Sequence, residues 1–287
     1  MQGEQHVSLG AEVGGFFTAG KGYGLKVIVK EETVLFTISG DRVATANIPS
    51  NLIIPVVGAL DLAGTGLFGR KEVASGLYVE KGRTFGRVRI RVRKPDGDKV
   101  FTEIPAFEAS SVASYILSRI KMPMPIRYGI MDYYVEIEEV KEERKVIVRA
   151  ISRDGAKGVV MDVVGFSKLL YAMRNAVLGG LYMPVKIAGV IGYVSVQEFI
   201  ETEEEGKEEE VWQTIQDLTK AASIKNVPPL PIIKEALKKK GIPFKHLVRL
   251  RFGEGRENEN RIEVRLPLAH AWGFVRVGET LIKSQER

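Results

Sequence analysis

The chain has 287 residues, of which 45% are hydrophobic and 27% charged, with 42 Lys and Arg against 36 Asp and Glu for a net +6. That length suits two domains, at roughly 100–200 residues each. Cysteine is absent, which excludes a disulfide framework, a thiol nucleophile and thiolate metal ligation, and no apolar run of about 18 residues offers a membrane span.

The surplus of base permits a polyanionic partner without demanding one. The opening MQGEQHVSLGAEVGG lacks the basic head and apolar core of a secretory leader, so the chain reads as cytoplasmic, with no membrane partner. Asn and Gln number six each while Glu, Lys and Arg abound, a thermophile's balance.

Along the chain, GLKVIVKE (24–31), VLFTISG (34–40) and DRVATANIP (41–49) are short β-branched runs broken by turn residues, the grammar of a meander. A helix follows over Ser50–Ala63, with Ser50 as the predicted N-cap and Gly64 as the stop. The grammar then repeats. SGLYVEKG (75–82), FGRVRIRVRK (85–94) and KVFTEIP (99–105) are strands, PDGD (95–98) is a turn, and AFEASSVASYILSRI (106–120) is a helix with Phe107, Val112, Ile116 and Ile120 on one face. KMPMP (121–125) reads as a linker.

A third pass runs through YYVEIEEV (133–140), RKVIVRAI (144–151) and GAKGVVMDV (155–163) into an amphipathic helix closed by Gly179-Gly180. A fourth opens with GYVSVQEFIE (192–201) and closes with two alternating strands and a helix from 246 onward. Between them lies an insertion at about 203–243. It holds an acidic helix near Glu208–Ala222, the Pro-rich NVPPLP, and a short basic helix.

Four units of strands followed by a helix are an internal repeat. RVRIRVRKPDGDKVFTEIPAF aligns with HLVRLRFGEGRENENRIEVRLPLA, each closing on a proline, Pro105 and Pro267. The predicted class is α+β, with two tandem halves (1–122 and 123–287), each a pair of strand-meander-plus-helix units. The first half carries 16 basic against 12 acidic residues and the second 26 against 24, which favours the first half as the binding half.

The densest signal is GRVRIRVRKPDG, where Arg87, Arg89, Arg91 and Arg93 alternate with Val88, Ile90 and Val92. Period two sends the arginines to one face of a strand, about 7 Å apart. Nothing local in sequence neutralises them. A solvated sheet face or a protected edge is the plain explanation. Recurrence at Arg249 and Arg251 favours a functional one, since the planar fork of arginine binds phosphate oxygens and stacks on bases. Lys26 and Lys30 alternate with Ile28 on the opening strand, and Arg261 and Arg265 are partly offset by Glu263.

Phe16, Phe17, Tyr23, Tyr78 and Phe85 lie near these cations. Core packing is the commoner fate of such rings, but base stacking on an exposed ring contributes about 1–3 kcal/mol per base and tolerates any sequence. Tyr23, flanked by glycine in GKGYG, is better placed for exposure than Phe36. The acidic runs 136–145 and 201–210 read as solvated turns and a helix start.

Enzyme signatures are lacking. GTGLFGRKEV has no Gly-Lys-Ser/Thr ending, and His6, His246 and His270 have no metal-ligand spacing. The expectation is a non-enzyme without cofactor or metal.

FFTAGKGYGLKVIVKEETVLFTI (16–38) resembles the opening hairpin of the positive-coactivator type of single-stranded-DNA-binding domain, through Phe17, Lys21, Tyr23, Lys26 and Lys30. The tandem units of sheet plus helix resemble the Whirly family. That resemblance implies four-stranded units, sequence-tolerant binding of single strands across curved sheet faces, and homo-oligomers assembled through helices. The expected function is binding of single-stranded nucleic acid, DNA in the first place, through Lys21, Tyr23, Lys26, Lys30, Arg87, Arg89, Arg91, Arg93, Arg249 and Arg251. Single-stranded RNA binding is one alternative. A protein-interaction scaffold in a transcription or replication complex is the other, its docking arm being the 203–243 insertion.

Overall fold

The computed structural model describes residues 16–19, 24–40, 42–65, 71–74, 76–130, 133–153, 155–179, 183–225, 227, 229–254 and 261–285. Among these residues the protein is α+β, with four antiparallel sheets of four strands each, every sheet a meander in chain order. Short connections suffice because antiparallel neighbours need only a hairpin. The chain clusters into two units, Met1–Pro123 with Trp272–Val277, and Met124–Ala271 with Gly278–Arg287.

In the first unit, sheet 1 comprises β1 (Phe16–Ala19), β2 (Gly24–Val29), β3 (Thr33–Ser39) and β4 (Val43–Pro49), and α1 (Ile53–Thr65) follows. Sheet 2 comprises β5 (Lys71–Ala74), β6 (Leu77–Lys81), β7 (Arg87–Arg93) and β8 (Lys99–Pro105), and α2 (Ala106–Arg119) follows. The alternation holds on the inner faces. Val34, Phe36 and Ile38 of β3 and Val88, Ile90 and Val92 of β7 are fully buried.

Helix α1 lies on sheet 2 and packs along α2. It is buried from Ile53 to Ala63, as an all-apolar helix must be. Its one carboxylate, Asp61, is answered by Ser110 Oγ at 2.7 Å, Trp272 Nε1 at 3.1 Å and Arg276 Nε at 3.4 Å. Gly273 lies against the Ile54 carbonyl so closely that no Cβ would fit. The segment Trp272–Val277 is thereby held to α1 both by shape and by one buried acid.

Two sequence expectations are corrected here. Ser50 does not cap α1. It opens a single 3₁₀ turn, Ser50–Leu52, that has Pro49 at its cap and no side-chain capping bond, and the α-helix starts at Ile53. Phe107 does not join the buried face of α2. It is 70% exposed, whereas Val112 and Ile116 are fully buried.

In the second unit, sheet 3 comprises β9 (Ile126–Ile130), β10 (Tyr133–Val140), β11 (Lys145–Ser152) and β12 (Gly155–Asp162), and α3 (Val163–Leu178) follows. Asp162 Oδ1 caps α3 by accepting the Gly165 N–H at 2.7 Å. Gly179 closes it at φ 83°, the left-handed geometry a C-terminal glycine supplies. Sheet 4 comprises β13 (Val185–Ala188), β14 (Tyr193–Thr202), β15 (Phe244–Gly253) and β16 (Ile262–Pro267), followed by α6 (Leu268–Gln285). The insertion forms α4 (Glu208–Lys225) and α5 (Pro229–Lys239) between β14 and β15. It has its own small core of Val211, Leu230, Ile233, Leu237 and Ile242 around Ile200. The Pro-rich segment is thus not a bare linker, because Pro229 and Pro231 stand in the first turn of α5, where a missing N–H costs nothing.

Candidate functional site

Each sheet buries one face and leaves the other outward. On sheet 2 the outward residues align across strands in two rows, Tyr78–Arg91–Phe101 and Glu80–Arg89–Glu103. The expectation that the arginine row is unneutralised is corrected, because the carboxylates come from the neighbouring strands. Arg89 Nε donates to Glu103 Oε1 at 2.7 Å, and Glu80 Oε1 lies 3.5 Å from Arg89 NH1. Arg91 pairs with Glu80 as well. Arg89 is 8% exposed and Glu80 5%, so this row is a buried ion triad. Burial alone would raise the Glu103 pKa, but the hydrogen bond from Arg89 outweighs it and holds the carboxyl below its usual range.

The cations outside that row remain at the surface. Arg93 is exposed and donates to the Tyr78 hydroxyl, with its guanidinium 5.5 Å from the ring centroid. Lys99 Nζ stands 4.1 Å from the same ring. Arg89 and Arg91 stand 5.0 and 6.0 Å from the Phe101 ring. Arg87 NH1 donates to the Glu103 carbonyl at 3.3 Å. Among the described side chains this face therefore presents Arg87, Arg89, Arg91, Arg93 and Lys99 against Glu80 and Glu103.

Sheet 4 repeats the arrangement with a different charge pattern. Its rows are Gln197–Arg249–Arg265 and Ser195–Arg251–Glu263. Arg249 and Arg265 stand directly opposite one another, and both lie over Phe199, at 4.4 and 4.7 Å from the ring centroid. Glu263 is shared. It accepts from Arg251 Nε at 2.6 Å and Arg265 Nε at 2.8 Å, and Arg265 also pairs with Glu201. Arg249 donates to the neutral Gln197 amide, and its buried Nε has no hydrogen-bond partner among the described residues. Burial, and then the like charge of Arg251, push the Arg249 pKa below its ordinary value. For Arg265, Glu263 and Glu201 outweigh burial and hold the pKa above it. At the edge of the same face Lys186 Nζ lies 3.6 Å, and Arg261 5.9 Å, from the Tyr193 ring centroid.

Among the described residues, sheets 1 and 3 carry no such surplus. On sheet 1, Lys26 stands in a row with Thr37 and Thr45. On sheet 3, Arg127 and Arg149 alternate with Glu136 and Glu138 and pair with them, Arg149 to Glu138 at 2.6 Å and to Glu136 at 3.8 Å.

Of the sequence-predicted residues, Arg87, Arg89, Arg91 and Arg93 come together on sheet 2, and Arg249 and Arg251 on sheet 4. Lys26 lies on sheet 1 and Lys30 is exposed just beyond the end of β2, apart from the arginine rows. Lys21 and Tyr23 lie outside the described residues. The sequence reading missed Lys99, Phe101, Lys186, Gln197 and Phe199 as members of these faces. Their signal was present: each has the parity that places it on the cationic side once the hairpin register is fixed.

No group of three or more metal-ligating side chains forms a cluster among the described residues, and no described helix is long and apolar enough to cross a membrane. Compared with known proteins, the chain matches no family model and no curated sequence.

Proposed function

We propose that the protein binds single-stranded nucleic acid, DNA in the first place, with little sequence preference, across the outward faces of sheets 2 and 4. The observation that carries this reading is the Arg249–Arg265 pair over Phe199. Arg265 already has Glu263 and Glu201, but Arg249 opposite it has only a neutral amide, and like charges across a strand pair are destabilising, so a phosphate at Arg249 supplies the anion this row lacks. A guanidinium held over a ring also offers a flat cationic platform on which a base can stack, which does not depend on base identity.

The roles differ from those read in sequence. Arg89, with Arg91 on Glu80, holds sheet 2 together by neutralising two buried carboxylates, while Arg87, Arg93 and Lys99 around them face the ligand. On sheet 4, Arg249, Arg251 and Arg265 take phosphates, with Phe199 and Tyr193 beneath.

The test is fluorescence anisotropy of a labelled 30-base DNA strand at two salt concentrations. Affinity should fall with salt at a log–log slope of about −0.7 per phosphate neutralised. Arg249→Ala/Arg251→Ala should weaken binding about tenfold and flatten that slope by roughly 1.4. An unlabelled RNA strand of matched sequence serves as competitor, and stronger displacement by RNA than by DNA would move the reading to RNA. Absence of binding at low salt would sink it.

A further inference from the structure

The edge of sheet 4 carries a feature unrelated to the arginine rows. A groove of about 1040 Å³ runs between α3 and β13 and is lined by Val164, Lys168, Tyr171, Val185, Lys186 and Val190, among others. That volume is at the upper end for ligand pockets. The lining is apolar and uncovered, with Tyr171 68% and Val190 61% exposed. Its one carboxylate, Asp162, is engaged in capping α3.

One wall of this groove is a sheet edge, open along Lys186–Ala188. Among the described residues strand β13 pairs with β14 alone, and just beyond it the edge closes, where the Val190 and Ile191 N–H groups donate to the Val160 carbonyl of β12 at 2.7 and 3.4 Å. The Gly189 N–H donates to the Gly192 carbonyl at 3.0 Å, closing the β13–β14 hairpin. Antiparallel pairs alternate between bonded and unbonded, so Ile187↔Val194 and Val185↔Val196 exchange the ladder bonds. The N–H and C=O groups of Lys186 and Ala188 therefore face away from β14, toward the groove. Such an edge is a template for a further strand.

The two sides of that added strand would meet different chemistry. On one side it faces the apolar flank of α3. On the other it stands beside Lys186, the charged residue of β13 on the outward face. Opposite charges across strands stabilise and like charges destabilise. The complement is a segment alternating acidic with apolar residues.

We propose that the groove between α3 and β13 docks an extended segment of a partner protein, alternating acidic and apolar, as a fifth strand of sheet 4. Main-chain bonds to Lys186 and Ala188 give register, Lys186 selects an acidic neighbour, and the α3 flank takes the apolar side chains.

The probe is a fluorescein-labelled, acetylated hexapeptide of alternating glutamate and valine, titrated into the full chain and followed by anisotropy and by amide hydrogen exchange. The expected result is saturable binding with new protection of the Lys186 and Ala188 amides. The same peptide with lysine for glutamate, and the variant Lys168→Glu/Lys186→Glu, should each bind about tenfold more weakly. Ala188→Pro removes an outward N–H that sheet 4 does not use, and proline is tolerated at such an edge. It should abolish peptide binding while leaving the fold and oligonucleotide binding intact. The proposal is overturned by an absence of binding or by equal affinity for the lysine peptide. It is overturned equally if those two amides are protected by a 30-base DNA strand in place of the peptide, or by raising the protein concentration alone, which would assign the edge to nucleic acid or to a second copy.

Discussion

Sheets 2 and 4 place an arginine at the same position and answer it in opposite ways. Counting from the proline that closes each meander, Arg87 opposes Pro105 and Leu247 opposes Pro267. Two residues further along, Arg89 faces Glu80 and Glu103, while Arg249 faces Gln197 and Arg265. One row is a closed ion triad; in the other Arg265 is answered by Glu263 and Glu201, while Arg249 meets a neutral amide. The same alternating strand therefore does two jobs, and the residues that decide which job lie on the flanking strands. An arginine between two buried carboxylates is committed to the fold. An arginine beside a neutral amide and a second arginine has charge left for a ligand.

The largest effect separating the two rows concerns stability. Arg89→Ala leaves Glu103 buried without its cation and Glu80 with Arg91 alone, at a site where the Arg89 side chain is only 10% exposed. Removing one partner from such a group costs about 3 kcal/mol or more. Arg249→Ala leaves a neutral amide behind and relieves a like-charge contact, so its cost should stay under about 1 kcal/mol. Urea denaturation of the two variants checks this. Equal losses would erase the distinction between the rows.

The inner faces of these sheets also differ. Sheet 2 buries Thr102, whereas on sheet 4 His246 Nδ1 sits 3.1 Å from Lys234 Nζ. Burial, then the Lys234 charge, pushes the His246 pKa down to about 3, and a hydrogen bond with the Ala176 backbone only partly opposes this. The unfolded chain takes up this proton near pH 6.5, but the folded chain does so only near 3. Stability is therefore full above pH 6.5 and is lost as pH falls toward 3, by about 1.4 kcal/mol per unit. Between pH 6.5 and 4.5 the loss should be about 2–3 kcal/mol. Glu103 and Glu263, both held below the usual carboxylate range, add theirs only at lower pH. A pH series of melts reads this directly. The His246→Gln slope should be flatter, and a flat wild-type profile from pH 6.5 to 5 would contradict the half-buried neutral imidazole.

How much of this was legible follows from what the period-two rule covers. Alternation placed Val88, Ile90 and Val92 inward and the arginines outward, and the four units with their helices were readable from turn residues and β-branched runs. The first strand of three sheets was not, because KEVA and VKIA have only four residues and IRYGI is interrupted by glycine. Propensity says little over such lengths, and pairing with a longer neighbour decides. The neutralisation of Arg89 was hidden for a related reason. Parity puts Glu80 and Glu103 on the arginine side, but only the register of two hairpins brings both carboxylates level with the same arginine. The role of Gln197 was hidden the same way, since its interest lies in its not being a glutamate.

That last point gives the finest test of the comparison. Gln197→Glu would give Arg249 the neighbour that Arg89 already has, turning the open row toward the closed one. The added carboxylate faces a guanidinium whose buried Nε has no partner among the described residues, so a cross-strand ion pair should stabilise the second unit by about 0.5–1 kcal/mol. It should also remove one positive charge from the surface proposed to meet phosphate, lowering the salt slope of oligonucleotide binding by about 0.7. The two changes must appear together, because both follow from the same charge. Stabilisation with unaltered binding would mean that Arg249 does not touch the ligand, and weaker binding without stabilisation would mean that Arg249 was never short of a partner.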